Sequence, residues 1–239
     1  MRVRAVALVA GVAVGLGLAG CSGGASGAGA AGGAPAAAAS APPRLTDRLV
    51  TAARLPAGFQ LLASDASRTS APGAPIASMP CTELTVSRLL QRHTRPLEEA
   101  SVGLEQPPAD PENPDDNGWF GQESLDRYGP GQAAEAMAAV RDAAQRCPAY
   151  TEDFPNGDSA RNALSTKGAG VPADDSVVLR ETSTFVGKST VWITEKAFVR
   201  EGDVIMTMEQ IVDDKPRFGV EAVLPAAVAA YRAAGGGAG

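Results

Sequence analysis

The chain has 239 residues but only one histidine and three cysteines, and aromatic residues make up only 5% of it. A single imidazole, His93, together with the absence of any Cys-x-x-Cys spacing, disfavours a zinc site. It also disfavours the serine hydrolases, which need a histidine base beside their nucleophile. We therefore expect no catalytic residues, no metal and no cofactor.

Basic residues are also in the minority. Lys and Arg total 21 against 27 Asp and Glu, and the net charge is −6. Nucleic-acid binding depends on clustered Lys and Arg that neutralise phosphates, so we expect no nucleic-acid partner. The sequence has no basic patch for anionic lipid headgroups either, so attachment to a membrane would require a covalent lipid.

A long apolar run occurs at residues 5–20, directly after Arg2 and Arg4. It is short and Gly-rich for a membrane span but suits the core of a secretory signal peptide. The run ends in Leu-Ala-Gly-Cys at residues 18–21, which resembles the lipobox of bacterial lipoproteins. That resemblance implies a signal peptide at residues 1–20 and palmitate-type acyl chains on Cys21. An ordinary secretory signal with an incidental cysteine is the alternative.

The segment after Cys21 is composed almost entirely of Gly, Ala, Ser and Pro. It has no charge and no large apolar residue, so we expect residues 21–43 to be the lipidated cysteine and a disordered tether. Such a chain spans roughly 25 Å root-mean-square. One domain at residues 44–234 and a flexible tail at 235–239 would follow, on the extracytoplasmic face of the cell membrane.

Cys81 and Cys147 remain as an even pair in this predicted domain. Outside the cytoplasm such a pair indicates a disulfide. The residues around Cys147 support this, because apolar positions recur every three to four residues from 132 to 146. That periodicity predicts a helix and places Cys147 on its buried side.

The remaining patterns predict an α+β fold: a single domain with an antiparallel β-sheet packed with helices. Residues 201–203 contain Gly202 and predict a tight hairpin turn. The expected helices are at 46–54, 81–91 and 132–146 and from Pro225 onward. The expected strands are at 99–106, 119–128, 160–166, 177–184, 190–200 and 204–212.

Five stretches together resemble the extracellular sensor domain of actinobacterial PknH-type Ser/Thr kinases, which also occurs on free-standing lipoproteins. They are AARLPAGF, MPCTEL, AAEAMAAVRDAAQRCPAY, KAFVREGDVIMTM and VLPAAVAAY. The resemblance covers most of residues 44–234 and implies a sensor-like or ligand-binding domain. The chain has no kinase half, so any signal would have to be relayed to another protein.

Several short motifs suggest chemistry but lack the rest of the machinery. GDSA at residues 157–160 is similar to the nucleophile block of some hydrolases, but no histidine follows it. GKS at 187–189 lacks the glycine that opens a phosphate loop and predicts a turn. His93 is expected at the surface, near a helix end. Acidic residues at 110–116 offer oxygen ligands for Ca²⁺, but their spacing misses the Ca²⁺-loop pattern and favours a solvated charge run.

The strongest strands each hold aromatic residues, although packing in the core is the simpler role for these. We expect Trp119, Trp192 and Phe198 near the mouth of a concave face, because a sheet covered by helices on one face leaves the other free. The favoured function is a lipid-anchored, sensor-like protein that binds a small apolar ligand. The alternatives are an envelope protein that binds another protein and has no small-molecule ligand, and, third, an enzyme.

The lipobox gives the first testable prediction. Replacing Cys21 with Ser should release the protein from the membrane fraction or leave its signal peptide uncleaved, since the thiol is the group that carries the lipid. Intact mass spectrometry of the membrane-extracted wild-type protein should find a diacyl- or triacyl-glyceryl group on a chain beginning at Cys21. An unmodified mature protein in the medium would contradict the prediction.

Overall fold

The computed structural model describes residues 43–62, 73–113, 116–213 and 218–235. The predicted signal peptide at 1–20, Cys21, the tether up to residue 42 and the end of the predicted tail lie outside the described residues. Among the residues described, no helix has the length and apolar character needed to cross a membrane.

Within the described residues, eight strands form one antiparallel sheet, which confirms the predicted α+β class. The strands are β1 (Gln60–Leu62), β2 (Glu98–Gln106), β3 (Trp119–Arg127), β4 (Ala149–Asp153), β5 (Ser159–Lys167), β6 (Asp175–Phe185), β7 (Val191–Glu201) and β8 (Val204–Asp213). Their spatial order is β1-β2-β3-β8-β7-β6-β5-β4. The sheet therefore consists of two meanders, β1–β3 and β4–β8, which meet where β3 pairs with β8. Gly202 closes the β7–β8 hairpin at φ 62°, as its sequence predicts.

In the part of the chain that the structure describes, three α-helices flank the sheet: α1 (Leu89–His93), α2 (Gln132–Arg146) and α3 (Leu224–Gly235). Helix α2 has the predicted bounds, and Cys147 is fully buried at its end. The predicted helix at 46–54 is wrong: two short 3₁₀ turns, Leu45–Arg48 and Ala52–Arg54, flank an extended Leu49. A helix would use the Val50 amide internally, but here that amide donates to the buried carboxylate of Glu123 at 2.9 Å.

The predicted helix at 81–91 is also interrupted. A 3₁₀ turn at Cys81–Glu83 is separated from α1 by Arg88, which adopts φ 58°. The Arg88 amide donates to the Glu209 carboxylate at 3.2 Å. In residues 81–91 as well, an amide that a continuous helix would use internally instead contacts a strand of the sheet.

Both faces of the sheet are covered, so the expectation of one bare face is wrong. On what we call the α3 face, Ala197, Val199 and Met206 pack in the same core as α3. On the opposite face, here the α2 face, Val177, Phe198 and Ile205 pack with α2. The alternation along β7 directs successive side chains to opposite faces, so each strand contributes to both cores.

The start of the described chain is fixed at one end of the sheet. The Arg127 guanidinium donates to the Pro43 carbonyl oxygen at 3.0 Å and pairs with Glu98 at 2.7 Å. Arg127 lies opposite Val204, beside the β7–β8 turn. The described chain therefore begins at the end of the sheet that carries the β7–β8 turn.

The disulfide between Cys81 and Cys147 confirms the predicted pairing, with the two Cα atoms 5.6 Å apart. It joins the segment before α1 to the end of α2. The Arg146 guanidinium reinforces the junction by donating to the Met79 carbonyl at 3.1 Å. The bridge thus holds residues 81–93 against the helix that covers the α2 face.

Replacing both Cys81 and Cys147 with Ala should lower the free energy of unfolding by about 2–4 kcal/mol, because the unfolded chain loses a cross-link over a long loop. Urea denaturation of the variant would measure the loss, with Cys21→Ser as a control that keeps the bridge. An oxidised wild-type protein with the same urea midpoint as the double variant would contradict it.

Candidate binding site

Two hairpin turns lie side by side at the end of the sheet away from Pro43. Residues 154–158 connect β4 to β5, and residues 186–190 connect β6 to β7. They are neighbours because β5 pairs antiparallel with β6, which places Ala160 opposite Phe185. The Val186 amide donates to the Ser159 carbonyl at 2.9 Å and extends this pairing into the turns.

An open cleft of about 510 Å³ lies between and beside these turns. Its size is within the range of small-molecule sites, roughly 300–1,000 Å³. Three aromatic rings and a proline supply the apolar part of its lining, and four polar side chains supply the rest. The lining residues are Phe154, Pro155, Asn156, Asp158, Phe185, Lys188, Thr190 and Trp192.

The aromatic part of the cleft is a packed cluster. The Phe185 and Trp192 ring centroids are 4.4 Å apart at an interplanar angle of 71°. Phe154 also stacks on Phe185, with centroids 5.6 Å apart and planes inclined by 19°. Phe185 is buried, whereas 39% of Trp192 is exposed. The cluster therefore supports one large aromatic surface that solvent, or a ligand, can reach.

A charged pair crosses between the two turns. Lys188 Nζ lies 2.6 Å from Asp158 Oδ2, and this hydrogen bond lowers the pKa of Asp158. Asn156 donates to the same carboxylate at 3.0 Å, while its own side-chain oxygen accepts the Asp158 amide at 3.1 Å. The anion and the cation of the cleft lining thus neutralise each other.

Of the three aromatics predicted for a binding face, the structure places only Trp192 in the cleft. Trp119 is 1% exposed on the α3 face, where its ring meets Phe59 at 5.4 Å. Phe198 is fully buried on the α2 face. The three residues are not brought together, because Trp119 and Phe198 lie in the two separate cores and Trp192 belongs to neither.

Phe154 and Phe185 were not among the predicted binding residues. Both lie at strand ends, and β4 itself was not predicted. The two dismissed motifs in fact contribute to the cleft: GDSA supplies Asp158 and GKS supplies Lys188. The signal that could have found them was their position in two turns of neighbouring hairpins.

His93 is not at the surface. It is buried, with Nε2 2.9 Å from a carboxylate oxygen of Glu83 and Nδ1 2.5 Å from the Ala74 carbonyl. It lies near α1 on the α2 face and does not line the cleft. His93 is the last residue of α1, and its two contacts connect that helix to Ala74 and Glu83.

In the acidic segment predicted to be a solvated charge run, Asp110 and Glu112 are exposed as expected, but Asp116 is buried. The Asp116 carboxylate accepts the amides of Ala109 at 2.8 Å and Gly118 at 3.2 Å, and its side chain is buried. Asp115 lies outside the described residues. Within the part of the chain that the structure describes, no three His, Cys, Asp or Glu residues cluster in a way that could hold a metal ion.

A second set of polar groups is buried between the sheet and residues 85–88. Lys196 Nζ lies 3.1 Å from Glu209 Oε2 and donates to the Thr85 carbonyl at 3.3 Å. Burial favours a raised pKa for Glu209, but the attraction of Lys196 and the hydrogen bond from Ser87 outweigh it and lower the pKa. This paired, enclosed group docks the segment before α1 and offers no open surface to a ligand.

Burial outweighs the favourable contacts of two other buried carboxyls, Glu123 and Asp126. Burial raises the pKa of Glu123 to about 7, although the Val50 amide donates to it. Burial raises the pKa of Asp126 to about 7 as well, with one hydrogen bond from Gln91. These carboxyls lie on opposite faces of β3, and each meets a segment packed over the sheet.

Neither the protein-family models nor the curated proteins include a match to this sequence. Among solved structures, the chain is similar to the extracellular domain of PknH from Mycobacterium tuberculosis, with a TM-score of 0.38 and 12% identity. The likeness covers 56% of this chain and 63% of that one. What the cleft binds must therefore be inferred from its own geometry.

The raised pKa of Glu123 makes stability depend on pH. Below about pH 4.5 the Glu123 carboxyl is protonated in both the folded and the unfolded state, so it adds no pH dependence to the free energy of unfolding there. As pH rises towards about 7, the unfolded state loses its proton first, so the folded state loses stability relative to it. Glu123→Gln should remove this loss and stabilise the protein at pH 8 by about 2–3 kcal/mol relative to wild type.

Urea denaturation at pH 4 and pH 8 would measure the effect. The exposed Glu112→Gln is the matched control and should keep the wild-type dependence on pH. Equal stability differences between wild type and Glu123→Gln at both pH values would contradict the expectation.

Proposed function

We propose that this protein is a membrane-anchored, extracytoplasmic binding protein with a sensor-like role and no catalytic activity. The observation that carries the proposal is the open cleft in which Trp192 is 39% exposed. A large aromatic side chain held partly in solvent by its neighbours is costly unless something else covers it. Its position on ordered strand ends suits recognition of a ligand by a preformed site.

The location is supported by features of the sequence and by the bridge. The apolar run at 5–20 and the box ending in Cys21 direct the chain to a lipoprotein pathway. The disulfide between Cys81 and Cys147 fits an oxidising compartment. Together they favour a domain held by its lipid on the outer side of the cell membrane.

Binding without conversion is favoured by how the polar groups of the cleft are used. Lys188 and Asp158 pair with each other, so neither is free to act as a base. His93 is buried with Glu83 away from the cleft. The lining residues therefore include no activated nucleophile with its base.

A protein partner in the envelope is the second candidate. Val186, in the turn that connects β6 to β7, is 54% exposed, and Trp192, at the start of β7, is 39% exposed. An exposed patch of aliphatic and aromatic side chains at one edge is typical of a protein–protein contact. Such a partner would use the same end of the sheet.

Native mass spectrometry of the full-length protein purified from its own host tests the proposal. We expect a bound mass on the wild type and its loss in Trp192→Ala, because the ring supplies the main exposed contact area. Far-UV circular dichroism should be unchanged, since the side chain is not part of either core.

Leu97→Ala is the matched control. Leu97 is 75% exposed, but it precedes β2 at the opposite end of the sheet, where its amide donates to the Arg127 carbonyl. The Leu97→Ala variant should keep the bound mass that the wild type shows. Equal occupancy in Trp192→Ala and wild type would show that the cleft is not the binding site.

A further inference from the structure

The cleft offers two different surfaces to one ligand. Phe154 and Trp192 lie against Phe185 and form the apolar side. Asn156, Thr190 and Lys188 add hydrogen-bonding groups to the same lining. A ligand that satisfies both surfaces must carry an apolar face and several polar groups on one small frame.

The charge of the lining argues against an ionic ligand. Its one cation, Lys188, is 2.6 Å from its one anion, Asp158. A phosphate or carboxylate would have to compete with Asp158 for that ammonium group. The chain as a whole is acidic, with a net charge of −6, which repels anions further. The cleft therefore suits a neutral molecule.

The open shape argues against a purely apolar ligand such as an acyl chain. Apolar burial stabilises a complex in proportion to the area removed from water, so an acyl chain needs an enclosed tunnel. Here the aromatic surface is open on one side and polar groups border it. Hydroxyl groups of a ligand can replace water at this border and keep its hydrogen bonds to the protein. Methylene groups would displace the water and lose those hydrogen bonds.

From these three properties we infer that the cleft beside Trp192 binds a neutral carbohydrate, an inference that rests on the proposed binding function. One face of a pyranose ring presents C–H groups that lie flat on an aromatic ring such as Trp192. Its hydroxyl groups hydrogen-bond to Asn156, Thr190 and Lys188. The open mouth leaves room for further sugar units, so a segment of a longer glycan fits as well as a single sugar.

The test is a titration of the full-length protein with chitotetraose and cellotetraose, two neutral oligosaccharides, followed by tryptophan fluorescence. Trp192 should report saturable binding of one of them, and Trp119 should not respond because it is buried. Trp192→Phe should lose the fluorescence response. Trp192→Ala should weaken binding by about tenfold, the scale of one lost aromatic contact.

Thr190→Val tests the polar side without a change of shape. It removes one hydroxyl group and should weaken the affinity for the glycan by roughly two- to tenfold. Leu97→Ala should bind as the wild type does. An array of neutral and uronate-containing glycans extends the test, and the neutral glycans should be retained more strongly.

The outcomes separate this inference from the proposed function. If no neutral glycan binds but a lipid or peptide mass is retained through Trp192, the carbohydrate inference is wrong and the binding function stands. If glycans bind equally well to wild type and to both the Trp192→Ala and Thr190→Val variants, the cleft is not their site. If neither a glycan nor any co-purified mass depends on Trp192, both proposals are wrong.

Discussion

The pairing of β3 with β8 is the contact on which the rest of the fold depends. It joins seven consecutive residue pairs, from Gly121 with Gln210 to Arg127 with Val204, and unites the last strands of the two meanders, which are far apart in the chain. Once they are joined, the central strands have neighbours on both sides and their side chains fill two cores. The covering segments must then supply partners for polar groups on both faces, as Val50 does for Glu123 and Arg88 does for Glu209.

These polar contacts explain how far the fold could be predicted. Helix α2 and the six strands that were predicted follow from local periodicity, which depends only on which side of an element is buried. The segments at 46–54 and 81–91 were predicted as helices because their apolar residues fit that period. Their amides instead donate to carboxylates from distant strands, and no local pattern marks Glu123 or Glu209 as buried acceptors. β4, of only five residues, gives too short an alternation to be recognised.

The candidate site was predictable only in part, for a related reason. Alternation along β7 sets Trp192 and Phe198 on the same face, but it does not show where a helix covers that face. Helix α2 reaches Phe198 and not Trp192, so one is core and the other is exposed. Phe154 and Asp158 join the cleft through hairpin neighbours, and that neighbourhood follows from the strand order rather than from sequence distance.

The position of Pro43 has a consequence for orientation. The chain enters the domain beside Arg127, at the end of the sheet where the β7–β8 turn lies, whereas the cleft is at the other end. Trp192 and Glu201 are nine residue steps apart along β7, a distance of about 30 Å in an extended strand. A domain attached through the chain before Pro43, as we propose, would therefore present the cleft at the end of the sheet away from the attachment.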